Sequence, residues 1–481
     1  MVLSCSHFRV TVEPVMFFYM MAVFITFPAF QALIYSKVCV QQYNKTFCQN
    51  LKNSSANMSE YRDEEDFVQS ETSHWILMNN VAGLVPSCLV VLFFLSPLVD
   101  HVSHKAAILI TVGFGVFANV TNLLNSVYVD LDASYLLIGS IIGGCGGSFT
   151  AMMMVIYSYI TNISADKSKT VRVSVVEAMI FLAGTIGVFC SGLMVDQLGF
   201  VFTFSFTTGL LVVLILYVLI WLPDVKPDRQ AADDVGCARI MASRISGILE
   251  FIHKDREEGV KVFIGLMILV LLLLMVATSG EMDVLYLYVT RHPLNWSTTM
   301  YGYLRGLENF LRGITLITVM PLLKYKFHLK DTTLIILGLM TRITGFIFYS
   351  FQHTWTMFTG GAVSMFIGFP AAGIRSGVSQ QVHKDEHGRL FGLIASLESI
   401  ASIMATLIFN YVYPASLSFY PGFCFLLLAA IVIIGLFIIL WLRIKMPAPN
   451  YYGKFDMSDS LTGSNDDLSS SSTVNGINTH C

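Results

Sequence analysis

Six charged side chains in the apolar stretches of this chain carry the types and spacing that chemistry needs: Glu177, Arg305, Glu308, Arg312, Arg375 and Glu398, with Arg342 a seventh intramembrane charge. Each central Arg, Lys or Asp costs roughly 2.5–3.5 kcal/mol to insert, so the set facing lipid would cost on the order of 15–20 kcal/mol. These groups must therefore face a cavity or one another. Arg305, Glu308 and Arg312 stand at i, i+3 and i+7, on one helical face. Glu308 can pair with either arginine, which leaves one guanidinium over. A buried cation of that kind suits a visiting anion, and a carboxylate-bearing substrate fits. A packing ladder against a neighbouring helix is the structural alternative. Glu177 is isolated in Val175-Val176-Glu177-Ala178-Met179. Desolvation disfavours the ionised carboxyl, so such a group can cross apolar surroundings loaded and release its proton to water. That is the behaviour of a proton-coupled symporter. A protonated structural glutamate, bonded across helices, is the alternative here.

Positioning such groups takes membrane-spanning helices. The chain has 481 residues, 55% apolar and only 13% charged, with mean hydropathy +0.67. A soluble domain carries about 25% charged residues. The net charge of -3 excludes a nucleic-acid binder by bulk electrostatics. No zinc pattern, Gly-rich phosphate loop or triad spacing is present, so no enzyme chemistry, metal or organic cofactor is expected; the proton is the coupling ion. A bilayer core of about 30 Å needs roughly 20 apolar residues per helix. Twelve such runs lie near 15–36, 76–99, 107–128, 134–160, 173–195, 201–222, 262–282, 299–321, 333–351, 355–378, 390–412 and 422–442. The expected fold is an all-α membrane protein, with twelve transmembrane helices in two six-helix bundles. The first run reads as a retained span, since no small-residue cleavage site follows it.

Lys and Arg concentrate in loops on the side of the two termini, among them Lys105, Lys167, Lys169, Arg172, Lys324, Lys326, Lys330, Lys384, Arg443 and Lys445. That side is expected to be cytosolic. The sequons at Asn44, Asn53, Asn57 and Asn295 all fall on the other side and are candidate glycosylation sites. Cys39 and Cys48 share the loop after the first span, 37–74, where a disulfide is one of two open possibilities. Domain boundaries follow: a cytosolic N-terminus at 1–14, one bundle over 15–222, a central cytosolic loop at 223–259, a second bundle over 260–446, and a tail at 447–481. Within the central loop, Met241, Ile245, Ile248, Leu249 and Ile252 repeat at helical spacing and suggest a helix on the membrane surface. The tail is polar without periodicity and is expected to be disordered. Its Tyr452-Gly-Lys-Phe455 has the form read by endosomal sorting adaptors; accidental tail sequence is the alternative.

Specific strings carry a family resemblance. They are Val12-Glu13-Pro14; Thr72-Ser73-His74-Trp75 with Asn80; Thr170-Val171-Arg172 leading to Glu177; Ile374-Arg375-Ser376; Gly388 with Leu390-Phe391; and Tyr413-Pro414-Ala415 followed by Pro421-Gly422-Phe423. Through them the chain resembles the proton-coupled folate transporter family of the major facilitator superfamily. Leu397-Glu398-Ser399 and Phe419-Tyr420-Pro421-Gly422-Phe423 lean towards the lysosomal branch that moves steroid conjugates and bile acids. The resemblance implies proton coupling at Glu177, and proton and substrate binding at Arg375. The superfamily's loop 2–3 signature is reduced to Asp100-His-Val-Ser-His-Lys105, in which Asp100 and Lys105 keep a gating role. Ser148, Thr278 and Asn295 stand where the folate transporter has an aspartate, a histidine and a cysteine. Spans 3, 6, 9 and 12 are peripheral in this architecture, so Arg342 in span 9 is expected to pair locally or reach for the membrane surface, outside the site.

The function expected is a proton-coupled symporter that moves an amphipathic organic anion into the cytosol across a lysosomal or plasma membrane. Arg305, Glu308, Arg312, Arg375 and Asn80 would meet the anion. Glu177 and Glu398 would couple protons, and the charged groups would converge on one aqueous pocket between the halves. Its partners would be the anion, protons, the lipid bilayer and sorting adaptors. The alternative is a non-transporting receptor or scaffold on a degenerate carrier fold, favoured by the eroded loop signature and the polar tail. The cost of intramembrane charge argues against it.

Overall fold

The computed structural model describes residues 11–48, 62–95, 98–99, 103–163, 166–224, 258–327, 329–382 and 387–445. Ten helical stretches are long and apolar enough to cross a bilayer. One of these, Val175–Trp221, is two crossings. The chain turns at Gly199, where φ is +81°, a conformation glycine adopts without steric cost. The helix Arg62–Val90 completes twelve spans; its acidic first turn lowers its apolarity.

In chain order span 1 is Glu13–Gln42 and span 2 is Arg62–Val90, ending in a π-helical turn Val91–Leu95. Span 3 is His104–Val127, and span 4 is Tyr135–Cys145 with Ser148–Ile163. Span 5 is Asp166–Leu193 with Met194–Leu198, and span 6 is Gly199–Trp221. Span 7 is Glu258–Thr290. Span 8 is Thr298–Ile314, continuing through Thr315–Val319 to Leu322–Lys326. Span 9 is Asp331–Ser350, and span 10 is Thr354–Val363 with Gly368–Ser379. Spans 11 and 12 are His387–Ser416 and Phe423–Lys445.

Two boundaries depart from the sequence expectation. The segment 37–74 is helical at both ends, because span 1 runs to Gln42 and span 2 begins at Arg62. Asp63, Glu64 and Glu65 occupy the first turn of span 2, where negative charge suits the helix dipole. Span 7 outruns its expected end at 282 by eight residues, to Thr290. Asp283 thereby becomes a residue of the span. The proposed surface helix around Met241, the tail with Tyr452 and Phe455, and Asp100, Asn53 and Asn57 lie outside the described residues.

Span 4 breaks at Gly147 and Ser148, both at positive φ, and the Ser148 hydroxyl donates to the Gly143 carbonyl. A side chain at Gly144 would strike the backbone of Gly83, so spans 2 and 4 touch main chain to main chain. Lys37, fully buried, ties span 1 to the turn after span 3 by donating to the carbonyls of Tyr128 and Leu131 at 3.2 and 2.8 Å. Cys39, in the last turn of span 1, is disulfide-bonded to Cys48 just beyond it, closing the alternative the sequence left open.

The core falls into two apolar clusters. One, around Met16, Ile108, Ile156 and Leu214, lies wholly in the first half. The other fills the second half and takes in Leu33, Val38, Val68 and Ile76 from the first. These four belong to the end of the molecule that carries the disulfide loop, called the loop end below. The end bearing the start of span 1 and the close of span 12 is the terminus end. The halves are thus sealed together at the loop end, as hydrophobic burial requires of any apolar face withdrawn from lipid and water.

Candidate functional site

Polar contacts across the two halves follow the same division. Among the described residues, the hydrogen bonds between halves all lie at the loop end. Asn80 donates to Asp283 at 2.9 Å, Ser73 to Asn410 at 3.0 Å, and Gln31 to the carbonyl of Met282 at 3.2 Å. Further out, Arg291 is bound to Asp66, and the His292 amide donates to Glu65 at 3.0 Å. The Thr299 amide, at the start of span 8, donates to Asp196 at 2.6 Å. Gly192 permits that approach, because a Cβ there would lie 2.6 Å from the Thr298 carbonyl oxygen. At the terminus end Tyr157, Glu177, Arg375 and Glu398 are all partly exposed. The halves are joined at the loop end, and among the described residues no hydrogen bond joins them at the other.

The charged groups gather in three places. The first lies in the loop-side part of the second half. Arg305 Nη1 meets Glu281 Oε1 at 3.0 Å and Glu308 Oε2 at 2.6 Å. Arg342 Nη2 bonds the other oxygen of Glu281, and the Tyr349 hydroxyl bonds the other oxygen of Glu308. Two arginines and two glutamates balance, and every carboxylate oxygen is used. Glu281 escaped the sequence reading although it lies inside the seventh apolar run; its signal is one carboxylate among aliphatic residues, and its side chain reaches Arg305 of span 8 and Arg342 of span 9. Arg342 takes the first of its two expected alternatives, a local pair. It is 2% exposed, pairs with Glu281 and lies 4.0 Å over the Phe346 ring, so it reaches inward and not to the membrane surface. The leftover charge expected of span 8 is therefore not Arg305.

That charge is Arg312, seven residues and about 10 Å further along span 8. Its guanidinium stacks over Phe181 of span 5 at 5.4 Å, and its buried Nε has no hydrogen-bond partner. Among the described residues no carboxylate pairs with it. Gly368 of span 10 leaves room beside its stem. Arg312 is thus framed by spans 5, 8 and 10, on the boundary between halves.

The second and third clusters lie nearer the terminus end. The Tyr157 hydroxyl of span 4 donates to Glu177 of span 5 at 2.5 Å. Arg375 of span 10 donates to Glu398 of span 11 at 2.6 Å, with 42% of the arginine side chain exposed. These pairs occupy matching places: each glutamate is eleven residues into the fifth span of its half, and each partner is on the span before. Phe181 is one helical turn from Glu177, which places Arg312 within a turn of the Tyr157 pair in depth.

The remaining expected residues stand elsewhere. Lys105 donates to the Leu219 and Leu222 carbonyls at 2.9 and 3.1 Å, capping the end of span 6 within its own half. Asn80 is committed to Asp283 at the loop end and not to the neighbourhood of Arg312. Asn44 and Asn295 are both exposed, in loops at the loop end. A groove of about 430 Å³ opens between spans 5 and 8, lined by apolar faces of Ile186, Phe189, Leu307 and Phe310. None of the charged groups lines it; they lie in the three clusters described above. The described residues hold no group of His, Cys, Asp and Glu suited to a metal.

Comparison with known proteins bears on the family and the fold. The chain is 27% identical over 443 residues to the lysosomal proton-coupled steroid conjugate and bile acid symporter of Gallus gallus, covering 90% of this chain and 93% of that one. It is 25% identical to the Homo sapiens protein of the same name, at 88% and 92% coverage. It is 27% identical to the proton-coupled folate transporter of Rattus norvegicus, at 92% and 94%. Among solved structures, a peptide transporter POT in complex with sulfate superposes with a TM-score of 0.60 at 10% identity, covering 92% of this chain and 96% of that one. The human organic anion transporter MFSD10 gives 0.59 at 12% identity, with 89% and 98% coverage. These structural likenesses bear on the fold alone. The family model described as Major Facilitator Superfamily matches residues 12–325, well over half of the sequence, and the chain belongs to that superfamily of membrane transporters.

Proposed function

We propose that the chain is a proton-coupled symporter that carries an amphipathic organic anion from the loop end to the terminus end. The observation that carries this is Arg312: a half-buried guanidinium at the boundary of the halves, with the Phe181 ring beside it, a sealed Nε without a hydrogen-bond partner and, among the described residues, no carboxylate bonded to it. Burying an unpaired charge is costly, and a carboxylate or sulfate on the substrate removes that cost while its apolar body lies against Phe181. The curated relatives are named for steroid conjugates, bile acids and folate, all of them anions with extended ring systems.

Arg375 is the second anion contact. It is the more exposed arginine, and it can exchange Glu398 for a substrate oxygen as the anion leaves. Glu177 carries the proton, and Tyr157 holds it in place. Lysines and arginines around the terminus end support a cytosolic location for that face. Asn44 and Asn295 support a glycosylated lumen or exterior at the other, and the relatives' names favour the lysosome. A difference of two pH units then supplies about 2.7 kcal/mol per proton, enough for roughly 100-fold accumulation.

The test is uptake by purified protein in liposomes with the loop end facing acid. A sulfated steroid, a bile acid, a folate and a muropeptide are offered at acidic and neutral pH. At least one of the anions is expected to enter faster under acid. Glu177→Gln is expected to lose that stimulation while retaining slow exchange. Undiminished acid-driven uptake by this variant removes Glu177 from the mechanism.

A further inference from the structure

Asp283 takes no part in the transport steps above, yet its surroundings are unusual. It lies two turns from the loop end of span 7 and is 4% exposed. Its Oδ2 accepts from Thr406 at 2.5 Å and Asn410 at 2.8 Å, both on span 11 of the same half. Its Oδ1 accepts from one donor only, the Asn80 amide at 2.9 Å, on span 2 of the other half. Among the described residues no Lys, Arg or His bonds to it. Span 2 presents Asn80 and Ser73, span 11 presents Thr406 and Asn410, and span 1 presents Gln31 to the neighbouring Met282 carbonyl. Glu281, two residues back, is taken by Arg305 and Arg342. Glu65 and the Arg291–Asp66 pair lie further out at the same end.

A carboxylate sealed from water without a cation is sealed at lower cost as the neutral acid. Here the sealing group is Asn80, which belongs to the opposite half and departs when the loop end opens. We propose that Asp283 is a proton-loading site of the loop end, which shuts over it only after a proton has been taken from that compartment. The proton comes from water on the loop side and bonds to Oδ1, the oxygen with a single donor. The new O–H donates to the Asn80 side-chain oxygen once that amide has turned end for end, and Thr406 and Asn410 stay on Oδ2. The contact between halves therefore survives protonation. This ordering rests on the symporter reading: the proton binds first and closure follows, so an unloaded carrier does not close. The other carboxyls that join the halves at this end are held differently. Asp66 has the Arg291 guanidinium, Glu65 accepts the backbone amide of His292, and Asp196, which accepts the Thr299 amide, is exposed to water.

The experiment uses full-length protein in lipid nanodiscs without substrate. Single-molecule energy transfer is read between dyes at Asp130 and Trp355, exposed residues at the loop end of the two halves. On acidification the wild-type open population is expected to fall roughly fivefold or more. Asp283→Asn, permanently neutral, is expected to be shut at acidic and neutral pH alike. Glu65→Gln keeps the wild-type response. Thr406→Val removes a donor from the charged form and moves the midpoint to higher pH, which serves where Asp283→Asn does not fold. Asp283→Asn responding like wild type, loss of the response in Glu65→Gln instead, or an unmoved midpoint in Thr406→Val overturns the proposal. Because no substrate is present, failure here and failure of the uptake assay are separately visible.

Discussion

Arg305→Ala is expected to cost the protein its folded abundance before it costs any transport. The guanidinium lies between Glu281 and Glu308, with 15% of its side chain exposed, and its removal leaves three ionised groups with one positive charge. Breaking a buried pair by deleting one partner costs about 3–5 kcal/mol. That is a large part of the 5–15 kcal/mol that holds an ordinary domain together. Thermal unfolding in detergent should shift down sharply, and uptake of charged and uncharged compounds should fall alike. Arg305→Ala combined with Glu308→Gln restores the balance, since Glu281 keeps Arg342, and should recover most of the lost stability. A stable Arg305→Ala protein that fails only with anions would return Arg305 to the substrate site.

Arg312→Ala should do the reverse. Among the described residues no carboxylate bonds to Arg312, so abundance and unfolding temperature should stay close to wild type. Anion uptake should fall by about 10- to 100-fold, the effect of losing one charge-assisted contact worth roughly 1.5–3 kcal/mol. Uptake of an uncharged steroid should be unchanged. Arg312→Lys should recover part of the loss, since the ammonium keeps the charge but not the planar face that stacks on Phe181. The measurement is initial uptake of a sulfated and an unconjugated steroid side by side.

Much of this was legible in the residues. Run length gave the spans, since a helix must offer hydrocarbon about 30 Å long, and sparse charge inside those runs marked Glu177, Arg312, Arg375 and Glu398. What failed was pairing. The i, i+3, i+7 face of span 8 announced one excess cation, yet its identity depended on Glu281, which reaches Arg305 from span 7, and on Arg342 of span 9, which holds the other oxygen of Glu281. Sequence distance carries no information about which helices will be neighbours. For Arg342 the peripheral span left a local pair and a reach to the membrane surface both open; the long stem turns into the bundle, where the guanidinium pairs with Glu281 and lies on Phe346. Asp283 was hidden by a boundary: apolar counting stopped span 7 at 282, while bonds to Thr406, Asn410 and Asn80 let the helix bury a carboxylate beyond that point. The joining of the halves at the loop end has no counterpart in a linear pattern at all.

The most direct test is proton movement driven by substrate alone. Liposomes holding the purified protein, with equal pH inside and out, receive a sulfated steroid on the loop side while pH is followed there. A symporter carries protons inward with the anion, so the outside should become more alkaline on addition, and Glu177→Gln liposomes should show no change. Entry of the steroid with no accompanying change in external pH would contradict proton-coupled transport by this chain.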